Sequence, residues 1–98
     1  MVIVVLLICV MTLRIERLTA RAGSVLRLIG QVGAEHLEEL RTQLGSSGGR
    51  VSFDLEEVTL IDTDAIRFFV DAEGQGIEVS NPSPYIREWI KRIRESQR

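Results

Sequence analysis

Three aspartates and a threonine stand around the point where the pattern of the chain changes. From Val51 to Ile66 the sequence reads V-S-F-D-L-E-E-V-T-L-I-D-T-D-A-I, with Asp54 inside an alternating apolar run and Asp62, Thr63 and Asp64 in consecutive positions. Carboxylates in such company can hold a cation, act as acid and base, or flank a hydroxyl that accepts a phosphoryl group. The stretch contains no His, Cys or Lys, and carboxylates with neither a nucleophile nor a metal partner carry no defined reaction. Catalysis is therefore not expected. One Cys, Cys9, and one His, His36, leave no intrachain disulfide and no metal cluster to assemble, so no cofactor or metal is expected. His36, between Glu35 and Leu37, reads as an exposed helical side chain. What remains is the hydroxyl of Thr63.

The elements around it follow from periodicity. Val51, Phe53 and Leu55 alternate as in a half-buried strand, whereas Ile66, Phe69 and Val70 recur at the spacing of an amphipathic helix. Asp62-Thr63-Asp64 is thus a strand-to-helix junction. Asp and Thr both cap helix N-termini, where unpaired N–H groups favour negative charge. Phe68 lies off the stripe and shares a face with Ala65 and Ala72, which reads as an anchor for a partner. The alternative for the whole junction is a simple helix cap.

Upstream, Thr12 to Arg17 and Val25 to Ile29 alternate around a Gly-containing turn and predict a hairpin. Gly30 to Gly33 breaks the pattern. Ala34 to Leu44 then predicts a helix with Leu37, Leu40 and Leu44 on its apolar face, ended by the loop Gly45 to Gly49. That loop is not a phosphate-binding P-loop, because Arg50 opens a strand where Gly-Lys-Ser/Thr would open a helix. Downstream, Gly74-Gln75-Gly76 is a turn before a short strand, Ile77 to Ser80. It has the reverse order of a dinucleotide fingerprint. Ser83 caps a last helix with Pro84 at its first position; Tyr85, Ile86, Trp89, Ile90 and Ile93 form its stripe, with Tyr85 and Trp89 expected in the core.

Strands alternating with helices after a hairpin predict one α/β domain, a mixed sheet of about four strands with helices mainly on one face. A length of 98 residues and 45% hydrophobic content suit one small core. The net charge of −2 gives no reason to expect nucleic acid or an anionic membrane as a partner. Its distribution is uneven: Asp54 to Glu73 holds seven acidic residues and one Arg, Pro84 to Arg98 five basic and two acidic. The junction therefore sits on an acidic surface. Residues 1–10 are apolar throughout, too short to span a bilayer, and lack the basic start of a secretory signal. Three readings remain: a working start at Met11, an extra buried strand, or an apolar segment that self-associates or touches lipid. The domain proper is expected over 11–98, in a reducing, cytoplasmic setting.

The pattern F-D-L-x-x-V-x-x-I-D-T-x-A-I resembles the signature of STAS domains, the anti-sigma-factor antagonist modules, usually L-D-L-x-x-V-x-x-I-D-S-S-G-L. The similarity runs loosely from Met11 to Ile90, and its order of elements agrees with the periodicity. Asp54 and Asp62 match; Asp64 and Ala65 replace the second Ser and the Gly, and Gly33 stands where the family has an early Asp. The family's usual further strand and helix are absent. The resemblance implies a non-enzymatic bacterial signalling protein that regulates transcription by binding an anti-sigma factor. In the family that partner's kinase phosphorylates the hydroxyl matching Thr63, and the face around it, here Asp54, Asp62, Asp64 and Phe68, would bind the partner. It also allows a constitutive subunit of a transport complex, or a nucleotide-binding module, which the acidic surface disfavours.

Overall fold

A computed structural model describes residues 4–10, 12–20, 22–45 and 50–97. Met1 to Ile3, Met11, Arg21, the Ser46-to-Gly49 part of the expected loop and Arg98 lie outside the described residues. Strands β1 (Val4–Val10), β2 (Leu13–Ala20), β3 (Gly23–Val32), β4 (Val51–Ile61) and β5 (Glu78–Ser80) form one sheet in that spatial order. β1, β2 and β3 are antiparallel, and β3, β4 and β5 parallel. Helices α1 (Leu37–Gly45), α2 (Thr63–Gly74) and α3 (Pro84–Ser96) complete the α/β fold, with a 3-10 turn over Ala34–His36 before α1. The parallel strands step across the sheet in one direction, so crossovers of one hand lay α1 and α2 on the same face.

Alternation sets which face that is. Leu13, Ile15, Leu26, Leu28 and Phe53 are buried with Leu40 of α1, Ile66 and Phe69 of α2 and Ile86 and Ile90 of α3 in one cluster. The other sheet face carries Arg27 between Glu16 and Asp54, with nitrogen-to-oxygen distances of 3.7 Å to each. The expected four strands become five because the apolar N-terminal tract supplies β1. Of its three readings, a strand is the conformation found over Val4–Val10, at the edge of the sheet, with Leu7 and Cys9 exposed and Ile8 half-buried. Among the residues whose burial is described, fully buried core positions begin at Leu13, and Ile8 of β1 packs against them. A chain starting at Met11 should therefore keep a cooperative thermal melt followed by circular dichroism; loss of cooperativity would make β1 part of the core.

Three local expectations are corrected. The break expected at Gly30 is absent, since β3 continues to Val32. Gly30 takes φ +105°, and a Cβ there would stand 2.5 Å from the Thr12 carbonyl oxygen, so only glycine lets the strand pass. His36 is fully buried, not exposed: its Nδ1 accepts a hydrogen bond from the Gly33 N–H at 3.0 Å, closing the turn before α1. The reason is a rotation of α1. Arg17, on the core face of β2, donates to the Gln43 carbonyl (3.0 Å) and to Gln43 Oε1 (2.9 Å) near the helix C-terminus, where unpaired carbonyls favour a cation. That grip turns His36, Leu40 and Gln43 inward and leaves Leu37 and Leu44 half-buried. Tyr85, expected in the core, is 61% exposed, its ring against that of half-buried Trp89 at 5.6 Å. Ile86 and Ile90 provide the buried face of α3 instead, and Arg94 pairs with Glu73 to tie α3 to α2.

Candidate functional site

The candidate site lies where β3 and β4 end. The switch from strand to helix falls between Ile61 and Thr63, and Asp62 caps α2: its Oδ1 accepts from the Ala65 N–H at 2.9 Å. Its Oδ2 accepts from the Ala34 N–H, also at 2.9 Å, and its own N–H donates to the Val32 carbonyl. One carboxylate thus holds the start of α2 and the loop into α1 together. Gly33 belongs to the same joint. A Cβ there would meet the Glu35 carboxylate oxygens at 2.6 and 2.9 Å and Asp62 Oδ2 at 3.0 Å, so a side chain at this position would have to push the Glu35 carboxylate aside and would crowd Asp62.

Thr63 is the first residue of α2, exposed, and its hydroxyl has no hydrogen-bond partner among the described residues. The cap is Asp62 alone. The hydroxyl is therefore uncommitted, beside the open N–H groups of the first helical turn. Asp64, also exposed, follows it. From there α2 runs along an open groove of about 490 Å³ between α1 and α2, lined by Leu37, Arg41 and Leu44 on one side and Asp64, Arg67, Phe68 and Asp71 on the other. Phe68 is half-buried, its ring edge-to-face with Phe53 (5.8 Å) and Phe69 (5.4 Å), while the Arg41 guanidinium lies 5.7 Å from its ring centroid. It is a wall of the groove backed by the core.

Asp54 is elsewhere. In the β3–β4 register it pairs with Arg27, and Ile61 pairs with Val32; five residues of β3 at about 3.3 Å each put Asp54 roughly 16 Å from the junction. Its role is local. The register slips between Arg27 and Ile29, where β4 holds one residue more than β3. Such a bulge takes an amide out of the ladder, and Asp54 Oδ1 accepts the Glu56 N–H at 3.0 Å. It also accepts from Asn81 Nδ2 at 3.3 Å, tying β4 to the residue after β5. Of the expected site residues, Asp62, Thr63, Asp64 and Phe68 come together; Asp54 does not join them.

Sequence reasoning missed Arg41, Arg67 and Leu37. Leu37 and Arg41 sit on the α1 face that periodicity assigned half to the core and half to solvent, and in the folded chain both line the groove. Among the described residues no three His, Cys, Asp or Glu side chains converge to hold a metal ion, and no helix is long and apolar enough to cross a membrane. The chain matches no protein-family model, and no curated protein matches it.

Proposed function

We propose that the chain is a non-enzymatic, cytoplasmic interaction module of the anti-sigma-factor antagonist type, docking its partner through the N-terminal end of α2 and the groove beside it. The observation that carries this reading is the uncommitted Thr63 hydroxyl, exposed at a helix N-terminus whose capping role is already filled by Asp62. A hydroxyl kept free there is available to a kinase. Transfer forms a bond from Thr63 Oγ to the γ-phosphorus of the partner's ATP, with ADP leaving and the hydroxyl proton taken up by the partner. Asp62 is no ready base for that proton, because both of its oxygens already accept backbone N–H bonds.

The product would carry about −1.5 to −2 charge at a position where helix N–H groups attract it and Asp62 and Asp64 repel it. The phosphate would thus change docking without unfolding the domain. The test is capture of the partner by the tagged chain, followed by incubation with ATP and intact-mass measurement. A gain of one phosphate that maps to Thr63 and releases the partner is the expected result; a stable complex with no phosphate transferred would point to a constitutive subunit.

Phe68 gives a second handle. Phe68→Ala should lower stability by about 2 kcal/mol, less than the roughly 3–5 kcal/mol of a fully buried Phe truncation, and weaken the partner because the groove loses a wall. Chemical denaturation and a binding titration on the same sample separate the two effects. Unchanged affinity together with a full core-sized loss would place the docking surface elsewhere.

A further inference from the structure

The two edges of the sheet are unlike. β5 is three residues long and carries Glu78, and a short, charged edge strand is a common guard against pairing with another chain. β1 has no such guard. It runs for seven residues, V-V-L-L-I-C-V, with no charge, proline or glycine, and all seven pair with β2 on one side. Its other side carries no strand among the described residues. Leu7 is 55% exposed, and Cys9 is exposed beside it on the face away from the helices.

We propose that β1 pairs antiparallel with β1 of a second copy, joining two five-stranded sheets into one of ten strands. The unpaired backbone groups of a sheet edge ask for an extended strand, and the apolar, uncharged side chains ask that the strand be apolar too. β1 satisfies both demands for itself. A two-fold axis through Leu7 pairs the whole element, Val4 with Val10 of the other copy and Leu7 with its own counterpart, in an isologous contact. The axis stands perpendicular to the sheet, so both helical layers stay on one side and Leu7 meets Leu7 on the other. Antiparallel pairing continues the order already present through β1, β2 and β3. It also turns the two Thr63-bearing ends away from each other, so the seam leaves the docking face free.

The test is sedimentation of the full chain over a concentration series, beside Leu7→Lys. The wild type should be a dimer. Leu7→Lys, at an exposed position, should keep the same circular dichroism and a cooperative melt while weakening dimerisation at least tenfold, since two ammonium groups would face each other across the seam. Amide exchange on the wild type is the second measurement and needs no variant: the alternate β1 amides that point away from β2 should be protected in the dimer and lose protection on dilution. A wild type that is monomeric throughout overturns the proposal, as does a dimer unaffected by Leu7→Lys or one whose outward β1 amides exchange freely. A monomer that pellets with phosphatidylcholine vesicles would assign the strand to lipid instead.

Discussion

Thr63→Glu is expected to lower partner affinity at least tenfold, about 1.4 kcal/mol, while Thr63→Ala leaves it within a factor of two or so. The two variants share the loss of the hydroxyl, and that loss is small because the hydroxyl has no hydrogen-bond partner among the described residues and Asp62 fills the cap. They differ in charge. Glutamate at the first helical position is favoured by the open N–H groups, so folding should be nearly unaffected, but the charge is added between Asp62 and Asp64 on a face that must meet another protein. Like-charge repulsion and desolvation then act on the complex alone. Titration calorimetry with the captured partner would measure it, and the effect should shrink at high salt. Equal affinities for wild type, Thr63→Ala and Thr63→Glu, with no phosphate transferred, would leave Asp64 as a permanent charge and the chain as a constitutive subunit.

The second large effect is on stability. Asp62→Ala removes the N-cap of α2, a loss of about 1 kcal/mol, and also the acceptor for the Ala34 N–H, a charge-assisted bond that adds roughly another 1–2 kcal/mol. For a domain of this size about 2–3 kcal/mol corresponds to a fall in Tm of roughly 10–20 °C. Asp62→Asn is the informative companion. Its one carbonyl oxygen can still accept from Ala65, but its amide would turn a donor toward the Ala34 N–H, so it should recover about half of the loss. Hydrogen exchange should report faster opening at the start of α2 and also at the 3-10 turn before α1, which sequence separation alone would not connect. A loss below about 0.5 kcal/mol, or one confined to α2, would show that the bond to Ala34 contributes nothing.

The junction was legible because it is written in short-range chemistry. A capping Asp, a period-two run before it and a helical stripe after it are all local, and each was found where periodicity placed it. What escaped is non-local. His36, Leu40 and Gln43 also lie on one helical face, but a His and a Gln do not announce burial; Arg17, 26 residues before Gln43, decides it. The same holds for Asp54, whose signature position suggested the site and whose carboxylate instead serves a bulge. Tyr85 shows the opposite error, an aromatic on the edge of a stripe whose buried width is spent on Ile86 and Ile90.

The second irregularity in β4 has a consequence for how this segment tolerates change in length. Buried apolar side chains along the strand fall at Phe53, Leu55, Val58 and Ile61, spacings of two, three and three, and the register shifts twice, between Arg27 and Ile29 and again between Gly30 and Gln31. Each extra residue re-phases the strand so that its next apolar side chain still faces the helices. Glu56, Glu57, Thr59 and Leu60 are exposed, so exchanging any of them for a polar residue touches little. Deleting any one of them removes the extra residue and straightens the strand there: Leu55 and Val58, or Val58 and Ile61, come to stand two apart, still on the helix-facing side, and the pairing with β3 beyond the gap is unchanged. In a scan of this segment, deletion of one of these exposed residues should therefore be far milder than a lesion in the core, because Ile61 stays buried and Asp62 stays at the junction.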